Sequence, residues 1–348
     1  MRLVSIDELQ PGMKLARAIF REDDGGVLLR PNIELKPSYI DRIKELKYNH
    51  VYILDSRIPQ SDIIIESINE ETRFTARCLL KKTADQLLKD EAVQLIKFKR
   101  LVMELVNQIF SDINIIYNMV DIRSYENYIY AHSVNVCIIA LMIGMEMGFN
   151  RSEMENLGIG ALLHDIGRIF IDPKPLDQFG HLEAREYEQI KKHARLGYET
   201  LKNKFEVNFL AAHVALQHHE REDGSGYPRG LTGKRIHRFA KIVAVADAYD
   251  AMTSQRIRGI PSHQAIREIK AEADEKYDRT VVQCFAKVVS PYLLGTVLQL
   301  NTGDNVLVTQ VTRSECQVLV IKGWQEGATF NLFLNSKLFV DKVLNGKA

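Results

Sequence analysis

An apolar helical run that ends in a His-Asp dipeptide constrains the fold of this chain more than any other feature. The run is Ala161-Leu-Leu-His164-Asp165-Ile-Gly-Arg168, and a later run places a His pair before a glycine-rich loop, Gln217-His218-His219-Glu220-Arg-Glu-Asp223-Gly-Ser-Gly226-Tyr227-Pro228. Imidazole nitrogens and carboxylate oxygens are ligands that divalent transition metals accept. We therefore predict a helical fold that brings the two runs together around metal ions.

The His-Asp dipeptide also predicts a local break in the helix. Adjacent residues of an α-helix point about 100° apart, so His164 and Asp165 face one site only if the helix bends or ends there. Gly167, two residues further on, is typical of such an end. Because a carboxylate has two oxygens, Asp165 is able to bridge two ions while each imidazole binds one.

The composition argues against several classes of protein. The 46 Lys and Arg residues nearly balance the 45 Asp and Glu residues, so no overall field favours nucleic acid or a membrane surface. Four widely spaced cysteines without a CxxC pair are typical of reduced core residues. The N-terminus becomes charged too early for a signal peptide, and the most apolar run, Val136–Met145, is shorter than the roughly 20 residues that span a bilayer. We expect a cytoplasmic protein that binds no DNA, RNA or membrane.

The spacing of apolar residues divides the chain into four parts. Residues 1–60 combine short strand-like runs with one amphipathic helix over Ser38–Leu46, which predicts a small α+β N-terminal module. Residues 68–120 contain no proline and keep one continuous helical period, which predicts a long connecting helix region. Residues 121–290 are mostly helical, and residues 294–348 are short, β-rich and rich in turns. We therefore expect a mainly α protein with a small β C-terminal appendage.

Two features of the helical regions bear on assembly and on the core. The predicted helix at 68–120 either pairs with a second copy, which makes a homodimer, or packs within its own domain. Further on, six helical runs are expected to build the core: Ile129–Gly148, Ser152–His164, Glu183–Phe205, Val207–His219, Arg238–Met252 and Ser262–Ala273.

Half of the ten histidines lie at or near the ends of these helical runs. A histidine at such a position is able to point into a shared cavity. Together with two acidic residues they give one ordered set of candidate ligands: His132, His164, Asp165, His193, His218, His219 and Asp247. The other histidines are expected to be ordinary core residues with a satisfied hydrogen bond: His50, His181, His213, His237 and His263.

Four sequence blocks in residues 121–290 resemble the HD superfamily of metal-dependent phosphohydrolases, and more narrowly the HD-GYP phosphodiesterases that degrade cyclic di-GMP. The blocks are His164-Asp165-Ile-Gly, His218-His219-Glu220-Arg, Asp223-Gly-Ser-Gly226-Tyr227-Pro228 and Ile242-Val-Ala-Val-Ala-Asp247-Ala-Tyr-Asp250-Ala. A lone His-Asp dipeptide is weak evidence, but all four blocks occur in order and at fitting spacing. The resemblance implies an HD-type helical bundle core.

The resemblance also implies a binuclear metal site. It assigns one ion to His132, His164, Asp165 and Asp247, and the second ion to Asp165, His193, His218 and His219. Family members with a third ion have a carboxylate one turn before the first His, where this chain has Tyr128, so two divalent ions are expected. The family most often uses iron and sometimes manganese, and the same ligand types also accept zinc.

The implied reaction is hydrolysis of cyclic di-GMP to the linear dinucleotide, GMP or both, in bacterial second-messenger signalling. A hydroxide that bridges the two ions would attack the phosphorus in line with the leaving oxygen. The expected catalytic residues are Asp165, Arg168 and Asp250, and the expected substrate-binding residues are Arg168, Asp223, Gly226, Tyr227 and Arg256. Asp250 would orient a ligand or accept a proton; the alternative is an ordinary surface carboxylate.

The Gly-Tyr-Pro loop has two interpretations. In the family it borders the substrate and is linked to contact with diguanylate cyclase (GGDEF) domains, so the resemblance implies a cyclic dinucleotide substrate and a cyclase partner. Glycines let a backbone approach a ligand closely, and Tyr227 offers a ring for stacking. The alternative is a turn that only closes a helix pair.

Three departures from the family pattern leave the substrate open. Arg168 stands where the family usually has Lys, the segment Arg256-Ile-Arg258-Gly259 replaces an Arg-Pro-Tyr-basic run, and Tyr277-Asp278-Arg279 replaces Phe-Asp-Pro. A guanidinium still clamps phosphate but is a poor proton donor. The alternatives are therefore a hydrolase of a related cyclic dinucleotide or nucleotide, and a non-catalytic cyclic di-GMP sensor or cyclase-docking module.

Overall fold

The computed structural model describes most of the chain, and its helices dominate. The described residues are 2–20, 27–46, 48, 50–54, 68–111, 117, 128–172, 184–204, 209–254, 259–335 and 337–344. They divide into two compact units. One unit comprises Met1–Glu66, Ile116–Tyr128 and Ser290–Ala348, and the other comprises Ser67–Ile115 and Ile129–Val289. The prediction of a mainly α protein with small strand-containing ends is confirmed.

The first unit contains an α+β N-terminal region. Strands β1 (Arg2–Ser5) and β4 (His50–Ile53) pair antiparallel, as do β2 (Ile19–Phe20) and β3 (Val27–Leu29). A 3-10 turn spans Ile6–Glu8, and helix α1 spans Pro37–Glu45. The helix begins one residue before the predicted Ser38, because Pro37 has the fixed φ that suits a first helical position.

The same unit contains the predicted C-terminal β structure. Its five strands are β5 (Val297–Leu300), β6 (Asn305–Val311), β7 (Cys316–Lys322), β8 (Thr329–Asn331) and β9 (Val340–Leu344). They form one antiparallel sheet in the order β8-β7-β6-β5-β9, with a 3-10 turn at Leu332–Leu334. Valines on one face of the sheet, Val306 and Val308 of β6 with Val318 and Val320 of β7, belong to one small apolar core.

The second unit begins with two helices, although the continuous helical period of residues 68–120 predicts one. Helix α2 (Glu70–Leu88) and helix α3 (Leu95–Phe110) are separated by a short break. Asp90 lies in the break with φ of +60°, a left-handed conformation that ends a helix. The two helices pack on each other, and α3 packs on a helix that follows, α5 (Arg151–Leu163). The expectation of one long helix is therefore wrong.

Helix α4 (Tyr128–Glu146) lies at the centre of the second unit. Every residue from 131 to 144 is buried, because the helix is apolar on all sides and packs on all sides. Among the described residues it is the one helix long and apolar enough to cross a membrane, and 78% of its most apolar window is buried inside the protein. The core helix of a soluble protein passes the same test, so this finding is weak evidence for a membrane span.

The remaining helices of the second unit match the predicted runs, with one addition. They are α6 (Ala184–Lys204), α7 (Phe209–Gln217), α8 (Arg238–Thr253), α9 (Ser262–Ala271) and α10 (Arg279–Val288), with 3-10 turns at Ile166–Phe170 and Gly233–Arg235. Helix α10 is absent from the predicted runs. Its N-cap is Asp278, whose Oδ1 accepts hydrogen bonds from the backbone N–H groups of Thr280 and Val281.

Candidate metal centre

All seven candidate ligands come together in the second unit. His132 lies on α4 and His193 on α6, while Asp247 lies on α8. The other four, His164, Asp165, His218 and His219, lie directly after the last residues of α5 and α7. Five elements thus contribute donors to one cluster, and all its members except the partly exposed His219 are buried.

The predicted end of the helix at the His-Asp dipeptide is present. Helix α5 ends at Leu163, and Asp165 precedes the 3-10 turn Ile166–Phe170. Gly167 lets this turn lie against α6: a Cβ added there would be 2.1 Å from the carbonyl oxygen of His193 and 2.5 Å from the nitrogen of Gly197. The glycine is therefore needed for the close approach that brings Asp165 to His193, as well as for ending the helix.

The two oxygens of Asp165 face two different groups of imidazoles. Oδ1 is 3.3 Å from Nε2 of His193 and 3.7 Å from Nε2 of His218. Oδ2 is 3.6 Å from Nε2 of His164 and 3.8 Å from Nε2 of His132. Each group, together with Asp165, has its donor atoms close enough to hold one ion; His219 joins the first group. The two groups coincide with the two predicted ligand sets, apart from Asp247.

Backbone carbonyl groups set which ring nitrogen of three histidines faces the cluster. Nδ1 of His164 donates to the Ala161 carbonyl at 2.7 Å, and Nδ1 of His193 donates to that of Ile190 at 2.6 Å. Nδ1 of His218 reaches the carbonyls of Val214 and Ala215 at 3.1 and 3.0 Å. Since a neutral imidazole has one N–H and one lone pair, each Nε2 carries the lone pair that binds a metal.

Asp247 and Asp250 lie one turn apart on α8 and contact opposite nitrogens of His132. Asp247 Oδ1 is 3.0 Å from Nε2, on the side of the cluster. Asp250 Oδ2 accepts from Nδ1 at 2.7 Å, and its Oδ1 accepts from Nδ2 of Asn135 at 2.6 Å. Asp250 is 6% exposed, so the alternative of an ordinary surface carboxylate is wrong. Its position orients His132, in the way that carboxylates orient metal-binding histidines.

The protonation of the cluster fits divalent metals. Burial lowers the pKa of His164 and of His219, and it lowers the pKa of His193 to about 4 and that of His218 to about 3. Burial alone would raise the pKa of Asp165, but the positive charge of the neighbouring Arg168 opposes it, and that pKa lies well below its ordinary value. Neutral imidazoles and an ionised carboxylate are the forms that metals bind.

Two buried nitrogen atoms support the same fit. Nε2 of His164 and Nε2 of His219 have no hydrogen-bond partner among the described residues, although both atoms are buried. A buried polar atom without a partner costs free energy. Both residues belong to groups whose donor atoms lie close enough to share an ion, and a bound metal would give such a nitrogen a partner. The residues present therefore fit divalent transition metals.

Arg168 places a permanent positive charge beside the cluster. Its Nε lies 2.7 Å from Oδ2 of Asp165. Burial lowers the pKa of this guanidinium, but the neighbouring Asp165 outweighs burial and raises the pKa above its ordinary value. The side chain therefore stays charged, and it suits contact with an anionic group better than proton transfer.

The Gly-Tyr-Pro loop packs onto the cluster through its tyrosine. The ring of Tyr227 stacks on that of His219, with centroids 4.6 Å apart and planes 27° apart. A Cβ on Gly226 would lie 2.4 Å from the His219 carbonyl oxygen, so this glycine serves the packing of the loop on its own chain. The carboxylate of Glu220 holds the loop from inside: Oε1 accepts from the Arg229 N–H at 2.9 Å and Oε2 from the Leu231 N–H at 2.8 Å.

The other predicted substrate residues lie outside the cluster or outside the described residues. Asp223 is exposed, and its Oδ1 accepts from the backbone N–H of Ser225 at 2.8 Å, a bond within the loop. Arg256 lies outside the described residues. Near Tyr227 the structure adds Lys191, whose Nζ lies 5.4 Å from the centre of the tyrosine ring.

Sequence reasoning missed three residues that hold the site together: Asn135, Glu220 as a loop anchor, and Arg73. A lone amide inside the apolar run of α4 is a signal that pointed to Asn135. Glu220 was quoted as part of a motif, but its partners are backbone groups 9 and 11 residues away. Arg73 carried no signal, because its partner Asn135 is 62 residues away.

Comparisons with known proteins agree with this geometry. The model of the HD domain family matches residues 82–281. A cyclic di-GMP phosphodiesterase of Pseudomonas aeruginosa is 33% identical over 217 residues, which cover 62% of this chain and 52% of that protein. A 3'3'-cGAMP-specific phosphodiesterase of Vibrio cholerae is 34% identical over 151 residues, or 43% of this chain and 34% of that protein. The chain thus spans about half the length, or less, of these curated relatives.

A solved structure shows the same fold. The protein is Bd1817 of Bdellovibrio bacteriovorus, described as an HDG"Y"P protein, with a TM-score of 0.52 and 19% identity. The match covers 81% of this chain and 97% of that one. At this identity the likeness concerns the fold alone. Since the family model matches more than half of the sequence, the chain belongs to the HD domain family.

Proposed function

We propose that this protein is a metal-dependent phosphodiesterase that hydrolyses cyclic di-GMP to the linear dinucleotide, GMP or both. The observation that carries the proposal is Asp165, whose two carboxylate oxygens face two separate groups of buried imidazoles. A shared carboxylate between two donor sets is the arrangement that a two-metal hydrolase requires. The Pseudomonas relative is a cyclic di-GMP phosphodiesterase, which supports cyclic di-GMP as the substrate.

The seven residues would hold two divalent ions. His132, His164, Asp165 and Asp247 would bind one, and Asp165, His193, His218 and His219 the other. When bound, such ions supply positive charge to the phosphate oxygens and activate water as a nucleophile. As the family resemblance implies, we propose iron first and manganese second; the mixed nitrogen and oxygen donors permit both metals, and they also permit zinc.

The side chains around the ligands have separate tasks in this proposal. Arg168, charged and next to Asp165, would hold a non-bridging phosphate oxygen of the substrate. Asp250 would orient His132, because one of its oxygens accepts from Nδ1 of His132 while the other accepts from Nδ2 of Asn135. Tyr227 would fix the ring of His219 by stacking, and its phenol stays neutral because burial raises its pKa.

A second substrate is favoured by a specific observation. One relative is specific for 3'3'-cGAMP, and this chain departs from the family pattern at Arg168 and in the segment 256–259. We therefore propose that a mixed cyclic dinucleotide is the alternative substrate of the same site. The kcat/KM values for the two dinucleotides, measured side by side, decide between them.

The experiment that tests the function uses the full chain. Metal-free protein is loaded with ferrous or manganous ion without oxygen and incubated with cyclic di-GMP, and the products are separated by chromatography. Linear dinucleotide or GMP is expected from the wild type and not from the variant His164→Ala, Asp165→Ala. Binding of cyclic di-GMP without product under either metal would instead favour the non-catalytic sensor.

The binding partners, the oligomeric state and the cellular location of the protein are also proposed here. We propose a cytoplasmic protein whose Gly-Tyr-Pro loop contacts a diguanylate cyclase domain and whose region 68–120 forms a homodimer. The apolar faces of α2 and α3 pack within the chain, which leaves less apolar surface for such a dimer. Sedimentation velocity, alone and with a GGDEF domain, tests both, and the three boundaries between the four predicted parts are testable by limited proteolysis.

A further inference from the structure

Arg73 on α2 is a buried cation that neither the family match nor the reaction accounts for. It lies before residue 82, where the family model begins to match, and it is 3% exposed. Its Nη1 donates to Oδ1 of Asn135 on α4 at 3.1 Å, while its Nε is buried without a hydrogen-bond partner among the described residues. Because burying a charge is costly, its position calls for a physical reason.

The donors and acceptors between Arg73 and His132 form one chain with a single direction. A guanidinium only donates, so the amide atom of Asn135 that faces it is the oxygen. The NH2 group then faces Asp250, and Nδ2 donates to Oδ1 at 2.6 Å. An ionised carboxylate only accepts, so Nδ1 of His132, 2.7 Å from the other oxygen, is the donor. Nε2 of His132 is therefore left with the lone pair on the side of Asp247 and Asp165.

We propose that Arg73 is a positioning residue for the metal ligand His132. It holds the amide of Asn135 from the side opposite Asp250, so that the amide neither flips nor turns away. Asp250 then keeps one fixed oxygen for His132, and His132 presents an unprotonated Nε2 to the metal. Helix α2 thereby becomes part of the metal centre, although it lies outside the HD motifs. The inference rests on the proposed role of His132 as a metal ligand.

The first test compares Arg73→Met with the matched control Arg77→Met in the full chain. Arg77 lies one turn further along α2 and pairs with Glu70 at 2.9 Å. Manganese affinity is measured by chelator competition and electron paramagnetic resonance, with circular dichroism as the check of folding. Arg73→Met is expected to weaken manganese binding about tenfold, which is at the lower end of the effect of replacing a residue that supports a metal ligand. Arg77→Met is expected to weaken manganese binding less than about twofold. Equal affinities in the two variants would overturn the proposal.

A second test exchanges two side chains and does not depend on how well Arg73→Met folds. In Asp250→Asn alone, the new NH2 group has to face either Nδ1 of His132 or the NH2 of Asn135, so the chain is broken. The double variant Asn135→Asp, Asp250→Asn restores the chain. Arg73 and the NH2 group of the new amide at position 250 both donate to the new carboxylate at position 135. The oxygen of that amide then accepts from Nδ1 of His132.

The double variant is therefore expected to bind manganese about tenfold more tightly than Asp250→Asn. Adding Arg73→Met to the double variant should remove that gain, because the carboxylate at position 135 would lose its cation. A double variant that binds no more tightly than Asp250→Asn would overturn the proposal. A wild-type chain that binds no metal would instead contradict the proposed function itself, so the two failures are distinguishable.

Discussion

The metal cluster and the Gly-Tyr-Pro loop differ in what their predicted residues contact. In the cluster all seven predicted side chains converge, and each faces another member within 4 Å. In the loop, Gly226 and Asp223 make contacts within the chain, and Tyr227 stacks on a histidine of the cluster. The difference shows that a cluster of buried imidazoles and carboxylates has few functions other than binding metal. Loop residues, in contrast, also make the contacts that stabilise the loop itself.

The sharpest test of this comparison is Asp165→Asn. The amide lacks the charge that the two imidazole groups share, so we expect at least about 100-fold loss of kcat/KM and of metal affinity. Metal content by mass spectrometry and turnover of cyclic di-GMP measure the effect. Full metal content with undiminished turnover would remove Asp165 from the centre of the site.

The next largest effect is expected from Gly167→Ala. The added Cβ would meet backbone atoms of α6, which are unable to rotate away as a side chain does. The turn must then shift from His193, and we expect a loss of about 1–3 kcal/mol in unfolding free energy together with weaker metal binding. Urea unfolding and chelator competition report the two effects.

Gly148→Ala serves as the control, because open space surrounds a Cβ at that position and no steric clash arises. Since Gly148 has a φ of +76°, its replacement costs backbone strain alone. Unchanged metal affinity in Gly167→Ala would show that the close approach is not needed.

Glu220→Ala tests the loop through its anchor. Two backbone N–H groups would lose a charged acceptor, and we expect about 2 kcal/mol less unfolding free energy and a higher KM, since Tyr227 would be held less firmly. Thermal unfolding and steady-state kinetics measure the two quantities. The exposed Glu199, paired with Arg195 on α6, is the control, and Glu199→Ala should change little. If KM stays constant while stability falls, the loop has no part in substrate binding.

The smallest effect is expected from Asp223→Ala. Its side chain is exposed and bonded to the loop backbone, so we expect less than about a threefold change in kcat/KM, in the range of one ordinary hydrogen bond. A loss of 100-fold or more would contradict the comparison and return Asp223 to the substrate-binding residues. The same kinetic assay as for Glu220→Ala gives the answer.

Much of the fold followed from periodicity and end signals. The six predicted helical runs between 121 and 290 each correspond to one helix of the structure, with bounds that differ by at most two residues, because apolar spacing and caps act locally. The break at Asp90 and helix α10 did not follow. In the first case the apolar period continued across a left-handed residue; in the second the N-cap signal at Asp278 was present but not included in the predicted runs.

The candidate ligands were recognisable from their types, order and neighbours, and so was the break after His164, since a glycine two residues later is a local signal. Only the tertiary structure decided which oxygen of Asp165 faces which imidazoles, which ring nitrogen each histidine turns inward, and that Arg73, Asn135 and Glu220 support the site. The reason is physical: the type of donor is a property of one residue, whereas distance, orientation and burial depend on backbone atoms and helices far away in the chain.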